Sequence, residues 1–339
     1  MPSLSLRDLG RWRPELPGKD SSVRRAHPLD LAVAVLSRRS KMFARGWGDE
    51  AILAQLSGRV SREDAPSPVV VTWNSAEESA QVVRRDGTFP SPLDLLPTKT
   101  STVHLRTLQK SGNRSACVLL AGSHDEGYRI RERVFGGLTN KGLDLYLVEN
   151  PFYGLRRTPE GLSAIRVSDQ AMLALGMVLE ARALLHSLRG QYERLVIAGY
   201  SMGGHLAAIT AAVSPFEVAC AALATGASAS SIYTRTLMSW GVDFDGLGGG
   251  PAMREMARER LRVFFDAADI TRYEPPLRVE AAVILGCTRD GYVLRSETER
   301  LHQHWPGSTL QWLSAGHFSA LITRRQSFCD RILEALQRL

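Results

Sequence analysis

The sequence predicts an α/β protein in which eight strands form a mainly parallel sheet covered by helices on both faces. Three observations lead there. From about residue 66 onward, short β-rich runs alternate with helical stretches. The central runs, such as VLLA at 118–121 and LVIA at 195–198, are apolar throughout, as strands buried on both faces should be. With 44% hydrophobic and 23% charged residues over 339 positions, the chain can bury a large core, which excludes disorder.

Residues 1–65 read as an N-terminal extension. Leu29, Val33, Leu36 and Phe43 are spaced to share a helix face, with Arg38, Arg39 and Lys41 beside them. Residues 1–45 hold ten Lys/Arg against four Asp/Glu and so carry most of the net charge of +7. Residues 29–45 are therefore a candidate for peripheral contact with a membrane surface, although a docked helix with a solvated basic side explains the same pattern. The early apolar run Leu29 to Leu36 contains Asp30 and leads into Arg38 and Arg39 instead of a small-residue cleavage site, so no secretory signal is expected. The default compartment is the cytoplasm. The longest uninterrupted apolar run, Ala171 to Leu179, has nine residues, about half of the ~20 that span a bilayer, and a soluble protein is expected.

The main domain should run from 66 to 339. Its expected strands are Val69–Trp73, Val103–Leu108, Cys117–Ala121, Leu143–Glu149, Leu195–Ala198, Val218–Ala224, Ala281–Leu285 and Thr309–Leu313, the first two looking antiparallel. Between Ser168 and Gly190 a helix is expected, with Ser168 as its cap and Met172, Leu175, Leu179 and Leu185 on one face. A second helix should open at Gly203-Gly204. Residues 229–276 break the alternation and read as a small inserted cap, with a helix from Met253 to Ala267.

The sharpest chemical feature is Gly199-Tyr200-Ser201-Met202-Gly203, which follows the apolar strand at 195–198 and precedes a helical run. A GxSxG pattern is weak alone, because chance produces it readily in a chain with 29 glycines. Between strand and helix it marks a tight turn that exposes a serine hydroxyl. Such a hydroxyl needs a base, and the base needs an orienting carboxylate. Asp290 and His317 follow in that order, each just beyond an expected strand. Asp243, Asp245, Asp266 and Asp269 fall in the insert, and His302 and His304 on an expected helix. The reaction also requires two backbone donors for an oxyanion. Met202 is the candidate at the elbow; Ser123, with His124 as alternate, is the candidate on the loop Ala121–Gly127. His205 is expected to pack behind the site.

These residues resemble the α/β-hydrolase superfamily. Further segments resemble one subfamily of α/β-hydrolase domain-containing proteins of unknown function: Arg45-Gly-Trp-Gly48, Phe89-Pro-Ser-Pro92, Glu149-Asn-Pro-Phe-Tyr-Gly154, Ser201-Met-Gly-Gly-His205, Asp290-Gly-Tyr-Val293, and Trp305-Pro-Gly307 followed by Gly316-His317. The resemblance implies the α/β-hydrolase fold, a triad of Ser201, Asp290 and His317, and as substrate class an acyl ester, of a lipid or another acyl compound. One departure is AGSHDEGY at 121–128, where a threonine-containing run would be expected, and it leaves the second oxyanion donor open.

The expected activity is hydrolysis of a carboxylic ester through an acyl-enzyme on Ser201, with no cofactor and no metal. The same three residues would serve an acyltransferase that excludes water. A non-catalytic membrane- or partner-binding protein on this fold is the other class, and the intact serine, aspartate and histidine argue against it. A nucleic-acid partner is not expected, since the basic excess lacks interleaved aromatics. Cys117, Cys220, Cys287 and Cys329 show no CxxC spacing and read as small buried thiols. The sequence leaves the oligomeric state open.

Overall fold

The computed structural model describes residues 25–38, 40–56, 60–79, 81–158 and 166–339. Residues 1–24 and Arg39, which carry part of the basic excess, lie outside the described residues.

Nine strands form one sheet. They are β1 (Thr72–Ser79), β2 (Val82–Pro90), β3 (Thr102–Gln109), β4 (Ser115–Leu120), β5 (Leu143–Val148), β6 (Arg194–Tyr200), β7 (Ala219–Leu223), β8 (Ala282–Cys287) and β9 (Thr309–Leu313). Their order is β1-β2-β3-β5-β4-β6-β7-β8-β9. The first three form an antiparallel meander joined antiparallel to β5, and the other neighbouring pairs are parallel.

The strand count corrects the sequence reading by one. β2 was not expected, and β1 begins three residues later than the predicted first strand. The cause is the kind of interaction that holds this edge. β1 is exposed along its length and β2 reads VVRRDG, so neither shows apolar alternation. The meander is instead tied by cross-strand charge: Asp86 faces Arg106 in the β2–β3 register, and the guanidinium reaches both carboxylate oxygens at 2.6 and 2.8 Å.

Alternate residues of the parallel strands feed two cores. One face, with Val118, Leu120, Ile197 and Ile284, packs against α4 (Val167–Leu188) and α5 (Met202–Ala212). The other, with Leu119, Val196, Leu223 and Val283, packs against α3 (Arg129–Phe135), α10 (His317–Thr323) and α11 (Arg325–Gln337). All four cysteines are buried and unpaired. α4 has the length and apolarity of a membrane-crossing helix, but most of it is buried within the fold. Its cap differs from expectation. Ser168 lies inside the helix, and Asp169 accepts from the Arg166 N–H at 3.2 Å at the true start.

Two short helices precede the sheet, α1 (Pro28–Ser37) and α2 (Glu50–Leu56). The helix face expected at 29–43 is not the one formed. α1 ends at Ser37 and buries Asp30 and Ala34, while Leu36 is 75% exposed. Phe43 lies beyond the helix with φ of 60° and is fully buried against Tyr233 and Phe265. Residues between β7 and β8 supply α6 (Ser230–Arg235), α7 (Phe244–Gly248) and α8 (Arg254–Asp266). Val242, Phe244, Leu247 and Phe265 pack with Phe43 and Leu53 into a separate small core. α9 (Arg295–His304) precedes β9.

Candidate active site

The carboxyl ends of β4, β6, β7, β8 and β9 lie side by side in register: Leu120 pairs Gly199, Tyr200 pairs Leu223, and Cys287 pairs Leu313. The loops leaving these ends converge where the strand order reverses beside β4. In open α/β sheets, that is where ligands bind.

Ser201 sits between β6 and α5 with φ 58° and ψ −122°, a conformation that a residue with a side chain adopts only at a cost. The surroundings enforce it. A Cβ on Gly199 would lie 2.3 Å from the Gly203 carbonyl group, and one on Gly203 would lie 2.5 Å from the Leu120 oxygen. Strand and helix can approach this closely only because both positions are glycine. Ser201 N–H donates to Leu223 O at 2.9 Å, which ties the turn to β7.

Asp290 follows β8 and is buried. Its Oδ1 accepts from the N–H groups of Tyr292 and Val293, both at 2.8 Å, and its Oδ2 lies 2.7 Å from His317 Nδ1. His317 opens α10 after β9, with its Nε2 2.8 Å from Ser201 Oγ. The rings of Tyr200, Tyr292 and Phe318 surround the imidazole with centroids 5.2 to 5.6 Å away. Burial works against a charged imidazole here. The carboxylates of Asp290 and Asp30 outweigh it and hold the His317 pKa above its ordinary value.

The candidate oxyanion donors fare differently. Met202 is the first residue of α5, so its N–H has no intrahelical partner. Gly122 brings the opposite loop close: a Cβ there would sit 3.1 Å from Tyr200 O and 3.9 Å from Ser201 Cβ. His124 N–H is already donated to Tyr153 Oη at 3.1 Å. Among the described residues, the Ser123 N–H has no hydrogen-bond partner.

The remaining candidates are engaged elsewhere. Asp245 pairs with Arg254, Asp266 with Arg262 and Asp269 with Arg300, while Asp243 meets Lys41. His302 contacts Ser308 and His304 contacts Tyr273 O. His205 is buried between Gly226 O at 3.1 Å and Ala268 O at 3.2 Å, joining the elbow helix to the insert. Burial pushes its pKa down, against the pull of those two carbonyls. Among the described residues, no group of three His, Cys, Asp or Glu is placed to hold a metal ion.

Several residues that shape the site were not singled out from the sequence. Arg131 fastens the 122–127 loop through Asp125 at 2.9 Å and Gly127 O at 2.7 Å, and it also reaches Leu119 O and Val148 O. Glu149, the first residue of ENPFYG, accepts from Gly127 N–H at 2.9 and 3.0 Å. Burial raises its pKa against that hydrogen bond. Asp30 reaches the backbone of both the Asp290 and His317 loops. Only Glu149 had a visible signal, its place in a distinctive box.

A family model described as alpha/beta hydrolase domain containing 18 matches residues 40–250 and 250–338. The chain belongs to this family. Solved structures with the same fold include acetyl xylan esterase 1 from Thermoanaerobacterium sp. JW/SL YS485, at 15% identity and a TM-score of 0.55 over 90% of this chain and 99% of that one. An acetyl xylan esterase from Paenibacillus sp. R4 is 13% identical, with a TM-score of 0.53 over 96% and 99%. An esterase of Pyrococcus furiosus is 15% identical, with a TM-score of 0.50 over 81% and 97%. At such identities the likeness concerns the fold. The family match begins at residue 40, so it spans all three converging side chains and leaves α1 outside it.

Proposed function

We propose that this member of the family is a serine hydrolase that cleaves a carboxylic ester, with a lipid or other acyl compound as substrate, through an acyl-enzyme on Ser201. One observation carries the reading: His317 bridges Asp290 at 2.7 Å and Ser201 at 2.8 Å, with the serine on a strained, half-buried turn.

In this reading Ser201 Oγ attacks the acyl carbonyl while its proton passes to His317 Nε2. Asp290 keeps the other imidazole proton on Nδ1 and offsets the charge that forms. The carbonyl oxygen, now negative, takes hydrogen bonds from the N–H groups of Met202 and Ser123, each worth roughly 3 kcal/mol of barrier. His317 returns the proton to the departing alcohol, which leaves the acyl group on Ser201. Water then attacks that ester with His317 again as base, releasing the acid and restoring the serine.

An apolar cavity of about 110 Å³ between α2, α4, α5 and α8 is lined by Leu56, Leu175, Val178, Leu206, Ile209 and Phe264 and by none of Ser201, Asp290, His317 or the 122–127 loop, so the acyl class rests on the triad alone. The named esterases of the same fold support ester cleavage by analogy. A fluorophosphonate probe should label the wild type, and Ser201→Ala should abolish labelling. Esters graded by chain length, run beside lysophospholipid and phospholipid, then define the substrate, and free acid as product separates hydrolysis from acyl transfer. A folded wild-type protein that takes no label overturns the proposal.

A further inference from the structure

We infer that Asp30, on the helix that precedes the sheet, is a positioning residue: its carboxylate locks the Asp290 loop to the His317 loop and thereby keeps the imidazole aligned between Asp290 and Ser201. The inference rests on the serine-hydrolase reading above.

Asp30 is fully buried, and its two oxygens accept three backbone N–H groups from two separate loops. Oδ2 takes Gly291 N–H at 3.0 Å and His317 N–H at 2.8 Å; Oδ1 takes Phe318 N–H at 3.0 Å. Gly291 is the residue after Asp290, so a single carboxylate holds the backbone beside the acid and the backbone of the base itself. Among the described residues, no cationic side chain pairs with it; its partners are backbone donors, two of them from the first turn of α10.

The surrounding segment is built for this contact. His27 N–H donates to Arg289 O at 2.9 Å, and Tyr292 Oη donates to Asp30 O at 3.3 Å. Gly316 makes room. A Cβ there would lie 2.2 Å from His27 Cβ and 2.9 and 3.0 Å from the Asp30 oxygens, although φ of −91° would suit any residue. Burying a carboxylate is costly unless each oxygen is satisfied, and a helix needing only to pack would place an apolar side chain here. A carboxylate instead fixes two loops from two linked oxygens. Displacing a reacting group by about 1 Å costs on the order of 10²-fold in rate.

The groups facing His317 are Asp290 and Ser201 at the ring nitrogens, Asp30 from α1, and the rings of Tyr200, Tyr292 and Phe318. Cys287, at the end of β8, lies within electrostatic reach of Asp290 and Asp30. Asp30 is thus a second anion favouring the protonated imidazole.

The test uses the full chain with an activated ester, kcat/KM against pH, and fluorophosphonate labelling rates for slow variants. Asp30→Asn should lower kcat about 10- to 100-fold with KM little changed. It should also move the acid limb of the kcat/KM profile to lower pH. In an Asp290→Asn background the same change should cost less than about threefold, because the pair it aligns is already broken. Gly316→Ala, which leaves Asp30 in place but crowds it, should reproduce the loss in kcat; these measurements decide the matter if Asp30→Asn does not fold. A folded variant with a wild-type profile overturns the inference. So does a loss that is equal in the Asp290→Asn background with the acid limb unmoved, which would make Asp30 a stabilising contact alone. Absent labelling of the wild type would instead sink the hydrolase reading.

Discussion

Replacing Asp290 by asparagine changes one atom, and the structure dictates how the new amide must sit. Oδ1 receives two N–H donors, from Tyr292 and Val293. An amide NH2 placed there would face both of them, so the carbonyl oxygen must keep that position. The NH2 then occupies the Oδ2 site, 2.7 Å from His317 Nδ1, and donates where a carboxylate accepted. The imidazole is forced to accept at Nδ1 and carry its proton on Nε2, the atom proposed to take the proton from Ser201 Oγ. The wrong tautomer costs about 10⁴-fold in kcat, or ~5.5 kcal/mol of barrier. The assay is kcat/KM for a chromogenic ester from pH 6 to 9, with thermal unfolding to show that the variant is folded. In the wild type, kcat/KM should fall as pH is lowered, because protonated His317 cannot act as base. The midpoint should lie above ~6.5, the usual histidine value, since Asp290 and Asp30 raise it. A loss below tenfold, or labelling of Asp290→Asn at the wild-type rate, would refute the tautomer reasoning.

Two further predictions concern stability. Glu180→Gln breaks the bidentate pair with Arg156 at 2.7 and 2.8 Å, in which both side chains are wholly buried, and should cost about 3–5 kcal/mol in urea unfolding. Arg156→Met with Glu180→Met should recover only part of that, because Thr100 O, Glu149 O and the Ser91 hydroxyl lose their partners; a double variant no more stable than Glu180→Gln would count against the argument. His317 titrates higher folded than unfolded, so its protonation adds stability that is complete below about pH 6.5 and is lost as pH rises through the folded pKa. The difference in Tm between wild type and His317→Gln should therefore narrow from pH 5 to pH 8, and a gap that widens with pH would reverse the sign.

The parallel part of the sheet was legible because its strands are buried on both faces and advertise themselves as apolar runs. The tight turn at Ser201 was legible because its signals are local: a serine, flanking glycines where a Cβ would clash, and the strand and helix on either side. Asp290 and His317 could be placed because each lies just past an apolar strand. What stayed hidden depends on distant partners. β2 is held by ion pairs and by backbone ladders to β1 and β3, next to the sheet edge, so its sequence looks like a charged loop. Asp30 sits in an otherwise apolar helical run, where one acid reads as a solvated interruption. Its burial is intelligible only once residues 291 and 317 are known to lie against it. The same applies to His124, whose N–H is taken by a tyrosine 29 residues away.

Three of the segments that carry the resemblance, FPSP, ENPFYG and RGWG, hold scaffolding contacts away from the three converging side chains. Ser91 of FPSP donates to Glu180 at 2.6 Å; Glu180 holds Arg156, and Arg156 reaches Glu149 O at 2.9 Å and Thr100 O. Glu149 grips Gly127 N–H at the end of the candidate oxyanion loop, and a Cβ on Gly154 would strike its carboxylate at 2.7 Å. RGWG does the same for the insert: Trp47 Nε1 donates to Leu247 O at 3.1 Å, and Arg260 stacks 3.9 Å over its ring. The residues proposed to react need only short local motifs, which recur across one fold with many substrates. Holding a loop within a fraction of an ångström of a developing charge takes a chain of buried, mutually satisfied polar groups, and every link must be kept for the others to be tolerable. It follows that a lesion in Ser91, Arg156 or Glu180, none of which touches the proposed substrate, should act through the geometry of the 122–127 loop. Such a variant should lose kcat more than KM, as removal of an oxyanion donor does.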